Sequence, residues 1–240
     1  MGKTIVISSG KGGTGKTMFT ANIGAMLAKR GHKVCVIDMD QGLRNLDLYL
    51  GLEDSVVYDV NDVLNGVCRI KQALIKDKMF PGLSFMAASP KSDTGDITPL
   101  HMHVLCDKLN NMFDYTVIDC PAGIDDGLQI ALGGADNAIV VMTPEFSSIR
   151  DCDVVSGIIK EQGIRNVYFI MNKVDLELVK MKMEIGLEDI PDYMKENMIG
   201  IIKNDRNIHI STNLGMPIVF KENTYIYKNF DKIAERIERI

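Results

Sequence analysis

Residues 10–17 read Gly-Lys-Gly-Gly-Thr-Gly-Lys-Thr, and no other stretch of the chain constrains its architecture as strongly. The pattern G-x-x-x-x-G-K-[ST] is a phosphate-binding loop. Its glycines let backbone N–H groups curl around phosphate oxygens, its lysine reaches the β- and γ-phosphates, and its hydroxyl holds Mg²⁺. Gly10, Gly15, Lys16 and Thr17 fill those places, and Gly12, Gly13, Thr14 and Met18 complete the expected cradle. Lys11 is surplus to that chemistry. A second cation at the start of the loop makes sense if it serves another nucleotide.

The flanks have the order the loop requires. Residues 4–8, Thr-Ile-Val-Ile-Ser, form a short run rich in β-branched side chains, the signature of a buried parallel strand. Residues 18–30 carry helical periodicity, end in Lys29 and Arg30, and meet Gly31 as a C-cap. Strand, loop and helix in that order put the free N–H groups and positive dipole end of the helix against the phosphates.

Further apolar runs alternate with helical segments. Strands are predicted at 33–38, 83–87, 115–119, 137–143, 166–172, 198–202 and 218–220. The alternation predicts an α/β fold, a single-domain P-loop NTPase over residues 1–240, with a mostly parallel, twisted sheet flanked by helices on both faces. With 240 residues and 46% hydrophobic content the chain can bury a sizeable core. The net charge of −5 gives no global attraction to nucleic acid or anionic lipid. No signal-peptide pattern is read, and no apolar run approaches about 18 residues, so a cytoplasmic protein is expected. Five cysteines without a C-x-C or C-x-x-C pair predict reduced thiols and argue against a bound metal cluster.

Ligands of open α/β sheets bind beyond the carboxyl ends of strands. Two predicted strand ends carry carboxylates: Asp38 and Asp40 after Val34-Cys35-Val36-Ile37, and Asp119 after Thr116-Val117-Ile118. Behind a phosphate loop such residues serve Mg²⁺ or orient the attacking water. Asp38 and Asp119, with Thr17, are assigned to the metal and Asp40 to the water, which puts Lys16 and Asp40 in the expected catalytic set.

The segment 11–17 resembles the deviant Walker A box of the MinD/ParA ATPases. Further segments resemble the MinD branch in particular: Gly42-Leu43-Arg44-Asn45-Leu46-Asp47, Val56-Val57-Tyr58-Asp59, residues 72–78, Asp119-Cys120-Pro121-Ala122-Gly123-Ile124, and residues 144–151. The resemblance spans Lys3 to about Val219. It implies an ATP-dependent homodimer with ATP and Mg²⁺ between two subunits, Lys16 and Thr17 acting in cis and Lys11 in trans. It further implies residues 38–47 and 119–124 as the two segments that sense the γ-phosphate. The expected partners are a division inhibitor and an ATPase activator of the MinC/MinE type, with cycling to the inner face of the cell membrane. Arg44, Asn45, Ser148, Asp151 and Asp153 match segments near partner-binding surfaces in that family.

For the base, Asn172 ends an apolar strand within Asn172-Lys173-Val174-Asp175, and its amide offers a donor and an acceptor together. Asn-Lys-x-Asp is also the guanine signature of GTPases, so that reading stands beside ATP use. A second base contact is expected from Lys203-Asn204-Asp205, with Asp205 as the candidate. Relatives often have a proline in that loop, and this chain does not.

The last segment, 229–240, places Phe230, Ile233, Ile237 and Ile240 at helical spacing among three basic and three acidic residues. A neutral stripe of this kind predicts a helix packed on the sheet. The basic amphipathic helix with which MinD-like proteins enter the bilayer interface is not evident, so membrane contact is implied by the resemblance and not by this tail. Two other classes, and one close variant of the MinD reading, stand beside it. A ParA-type DNA-partitioning ATPase is disfavoured by the neutral tail, a metal-cluster carrier on the same fold by the unpaired cysteines, and a MinD-like regulator of flagellar number is hardly separated from the division role.

Overall fold

The computed structural model describes residues 2–90, 97–185, 189–190 and 193–240. Among them, strands β1 (Lys3–Ser8), β2 (Val34–Asp38), β3 (Ile75–Lys76), β4 (Leu83–Met86), β5 (Tyr115–Asp119), β6 (Asn137–Met142), β7 (Asn166–Val174) and β8 (Asn197–Lys203) form one sheet in the order β3-β4-β2-β5-β1-β6-β7-β8. Every pairing is parallel except β3 with β4 at the edge. The helices are α1 (Lys16–Lys29), α2 (Leu46–Leu50), α3 (Val60–Leu64), α4 (Ile70–Ala73), α5 (Pro99–Leu109), α6 (Asp126–Leu132), α7 (Phe146–Glu161), α8 (Leu176–Lys180), α9 (Arg206–Asn213) and α10 (Tyr225–Glu238).

Period-two alternation along the strands feeds two cores. Ile5 and Ile7 of β1 and Val34 and Val36 of β2 face one side, where Phe19, Ile23 and Met26 of α1 meet Phe230, Ile233 and Ile237 of α10. Val6, Cys35 and Ile37 face the other, against Met102 and Leu105 of α5, Leu128 of α6 and Val155 and Ile159 of α7. The expected doubly covered sheet is therefore present. The neutral C-terminal stripe packs as its pattern predicts: Phe230, Ile233 and Ile237 are buried, and the Phe19 and Phe230 rings stack at 6.1 Å between centroids. Arg30 at the end of α1 clasps α10 through Glu238 and Asp231.

Residues 218–220 are not a strand. They form a 3-10 turn, with the Phe220 N–H donating to the Pro217 carbonyl at 2.9 Å. An apolar run of three residues does not distinguish strand from helix by periodicity, and here the flanking proline presets the turn while Val219 packs against α1. The antiparallel β3 is the converse case. Its two residues, Ile75 and Lys76, carry too short a pattern to be read.

Candidate functional site

Ends of the central strands set the floor of the site. Between β1 and α1 the loop turns back on itself with Gly13 at φ +79° and Gly15 at φ +93°. A Cβ on Gly15 would lie 2.2 Å from the Asn172 amide nitrogen, and one on Gly10 would lie 2.5 Å from Cβ of Asp151. Gly12 and Gly13 face open space, which leaves their backbone accessible to a ligand. Gly15 is the N-cap of α1 and offers no side-chain acceptor, and the first turn holds no acidic residue. The first N–H groups of α1 are thus uncapped beside a cavity of about 450 Å³ lined by Lys11, Lys16 and Thr17, the arrangement that takes a phosphate.

Lys16 is buried and donates to Oδ1 of Asp119 at 3.0 Å. Thr20 donates to the same oxygen at 3.1 Å. Burial works against the Lys16 charge, but the charge and hydrogen bond of Asp119 outweigh it, so its pKa lies above the usual lysine value. The other oxygen, Oδ2 of Asp119, is buried and has no hydrogen-bond partner. An orphaned carboxylate oxygen beside Lys16 of such a loop, whose cavity the next residue, Thr17, lines, suits a hard divalent cation, so the residues fit Mg²⁺.

Asp38 is used differently. Its carboxylate accepts the N–H groups of Asp40 at 2.8 Å, Asn45 at 3.2 Å and Leu46 at 3.0 Å. It therefore ties the segment after β2 to the strand end. In the sheet it sits in register with Asp119, and burial, then the Asp119 charge, push its pKa up to about 7 against those three bonds. Asp40 lines the cavity half-buried. Burial raises its pKa, Lys16 opposes this, and Asp119 adds to it.

The residues expected at the base are braced onto the loop. The Asn172 amide donates to the Thr14 carbonyl and the Lys173 ammonium to the Gly13 carbonyl, each at 2.7 Å. Lys173 reaches it from a left-handed backbone, φ +59°. Asp205 lines the cavity too, as the N-cap of α9, accepting the Asn207 N–H at 2.8 Å. Ile208, His209 and Thr212 of α9 complete that wall. Asp175 does not line the cavity. It caps α8, accepting the Glu177 N–H at 2.9 Å.

A scan against family models matches the CobQ/CobB/MinD/ParA nucleotide binding domain over residues 5–218. The septum site-determining protein MinD of Synechocystis is 45% identical over 239 residues, 99% of this chain and 90% of that one. This chain belongs to the MinD septum site-determining ATPases of that family. Its fold is similar to MinD in the MinC:MinD cell division protein complex of Aquifex aeolicus, with a TM-score of 0.92, 42% identity, and coverage of 99% of this chain and 96% of that one. It is similar also to MinD of Pyrococcus horikoshii complexed with Mg-ADP, with a TM-score of 0.89, 30% identity, and coverage of 100% and 97%. Membership in the MinD branch makes this a nucleotide-binding protein of cell-division site positioning.

Of the residues matched to MinD partner surfaces, Asp153 is exposed on α7 and Asn45 is exposed at the rim of the cavity. Arg44 pairs with the buried Asp47, and half-buried Asp151 packs on Gly10. Ser148 differs from the expectation: it is buried, and its hydroxyl accepts the Thr143 N–H at 3.0 Å. Lys11 lies across from the same helix, donating to the Glu145 carboxylate and to the Ser147 hydroxyl at 3.3 Å. Tyr49, Lys173, Ile208, His209 and Thr212 are cavity residues that the sequence reading missed. The last three stand at positions i, i+1 and i+4 behind an Asp N-cap, a helix-start signal directly after the expected base loop.

Proposed function

We propose that the chain is an ATP-driven dimerisation switch, hydrolysing ATP to ADP and phosphate slowly alone and faster when a partner protein stimulates it. The observation that carries this reading is the division of labour between two lysines. Lys16 is committed to the floor of its own cavity through Asp119, whereas Lys11 stands a third exposed at the rim, held by surface groups of α7. A rim cation is placed to neutralise γ-phosphate charge on a second subunit's ATP, as a trans finger does in other phosphoryl-transfer sites.

Within each subunit Lys16 and the uncapped N–H groups of α1 would bind the phosphates, Asp40 would orient the attacking water, and Thr17 with Asp119 would hold Mg²⁺. An ion held there would supply neutralisation of phosphate charge. Asp38 supports the metal site from behind by fixing residues 40–46. Asp175 is spent on the α8 cap, so the guanine reading lacks its acidic partner, which supports adenine with Asn172 and the α9 wall as its surroundings. On this reading the ATP dimer recruits a MinC-type inhibitor, and an activator of the MinE type returns it to monomers. The protein would be cytoplasmic and cycle to the inner membrane face. No helix among the described residues is long and apolar enough to cross a membrane, so contact would be peripheral.

The test is sedimentation of the full chain with anionic liposomes in ATP, in ADP and without nucleotide, with dimer content recorded in parallel. Dimers only with ATP are expected. Sedimentation only with ATP would place the switch on the membrane; ATP dimers that stay free of lipid would move the anchor to a partner. Failure to dimerise in ATP would remove the reading.

A further inference from the structure

Tyr49 stands within the single short helix α2 and contributes to the wall of the nucleotide cavity. Its ring packs on the core beneath α1, and the residue is half-buried. Among the described residues nothing forms a hydrogen bond with its hydroxyl. A partly buried phenol ordinarily finds a partner for its O–H, so this donor is available to whatever fills the cavity.

Its place along the cavity follows from its neighbours. Burial raises the pKa of the phenol, the Asp119 charge adds to this and Lys16 opposes it, so the group stays neutral. Asn45, one helical turn earlier and so on the same face, lines the cavity beside Asp40. Asp38 fixes this turn by accepting the Asn45 and Leu46 N–H groups, and Arg44 adds an ion pair to Asp47. Tyr49 is therefore carried on an element anchored to the β2 strand end, in the cavity wall that Asp40 and Asn45 also line.

We propose that Tyr49 is a specificity-determining residue of the nucleotide site, donating its phenolic O–H to the terminal phosphate of ATP and so favouring the triphosphate over the diphosphate. The inference rests on the ATP reading above. A phenol is neutral near pH 7 and donates without adding a third cation to a site that already has Lys11 and Lys16. Only ATP has the γ-phosphate, so only ATP gains the bond. The contact also links that phosphate to α2, and through Asp38 to the segment that precedes it.

Tyr49→Phe keeps the ring and removes the donor. Because the chain has no tryptophan, calorimetric titration of the full chain with Mg-ATP and with Mg-ADP is the direct measurement, with thermal unfolding of both proteins alongside. Mg-ATP binding is expected to weaken about tenfold, the scale of one hydrogen bond to a charged acceptor, while Mg-ADP binding stays within about twofold and the unfolding midpoint is unchanged. Unchanged Mg-ATP affinity beside a wild type that binds Mg-ATP would overturn the Tyr49 assignment alone. Equal weakening for both nucleotides would overturn it as well, by making the hydroxyl a contact to a group that they share. A wild type that binds no Mg-ATP would remove the ATP reading and this inference together.

Discussion

Lys11 and Glu145 are paired within one subunit, across the gap between the phosphate loop and the first turn of α7. The side chains are 34% and 63% exposed, and exposed pairs contribute about 1 kcal/mol or less. In the proposed dimer the pair would be a parking place for Lys11 that a second subunit's phosphate could outcompete. Lys11→Ala is expected to leave the unfolding free energy within about 0.5 kcal/mol of wild type and to leave monomer nucleotide binding intact. ATP-dependent dimers and turnover should be lost. Sedimentation velocity with ATP, together with phosphate release, checks this; a variant that still dimerises and turns over would place Lys11 outside the mechanism.

Lys16 faces the opposite situation, because its partner is fully buried. Removing one member of a buried pair leaves an uncompensated charge and costs about 3–5 kcal/mol. Lys16→Ala strands Asp119, whose second oxygen already lacks a partner, so the variant is expected to lose nucleotide binding and stability in the nucleotide-free state. Chemical denaturation without ligand measures the second effect independently of the first. Retained tight ATP binding by this variant would contradict the assignment of Lys16.

The loop, its flanking strand and helix, the doubly covered sheet and the packing of the last helix were legible because each is written in local pattern. Gly13, Gly15 and Lys16 announce a loop conformation, and Phe230, Ile233 and Ile237 announce a buried stripe. Asp38 shows where local pattern stops. A strand-end carboxylate is legible along the chain, but the three backbone N–H groups that its oxygens accept are not. Ser148 was expected near a partner surface because its segment resembles the MinD branch, and only the fold of the β6–α7 connection turns it inward. Tyr49 and the α9 wall come from segments distant in sequence from the loop, and no spacing along the chain reports that the sheet brings them together.

The Asp38 and Asp119 pair also predicts a pH dependence. The folded pKa of Asp38 is raised to about 7, against about 3.9 for an unperturbed aspartate. The native state therefore holds the proton more tightly than the unfolded chain does. This contribution is fully present below about pH 4 and is lost as pH rises through about 7, on the order of 2–4 kcal/mol over that window. In Asp38→Asn the proton is no longer there to lose. That variant gives up an acceptor for one of the N–H groups and starts less stable by about 1–3 kcal/mol, but its unfolding free energy without nucleotide should fall less steeply from pH 5 to 8. Parallel slopes for the two proteins would mean that Asp38 is ionised throughout.

Gly15 makes the narrowest geometric demand on the site. Its φ of +93° belongs to a region that a residue with a Cβ enters at a cost of roughly 1–2 kcal/mol. Strain is the smaller part of what Gly15→Ala would do. The new methyl would fall 2.2 Å from the Asn172 amide nitrogen, and that amide holds the Thr14 carbonyl at 2.7 Å. The side chain of Asn172 must move, its bond to the loop breaks, and the Thr14 carbonyl is left to turn. Gly15→Ala is therefore expected to weaken ATP and ADP alike, by at least about tenfold, because the base wall and phosphate cradle lose their common brace. Asn172→Ala removes the same bond from the other side without straining the loop. If the brace is the cause, Gly15→Ala placed on Asn172→Ala should cost far less binding than it does alone, a non-additivity that a double-mutant cycle reads directly. Full additivity would assign the loss to the backbone of Gly15 itself.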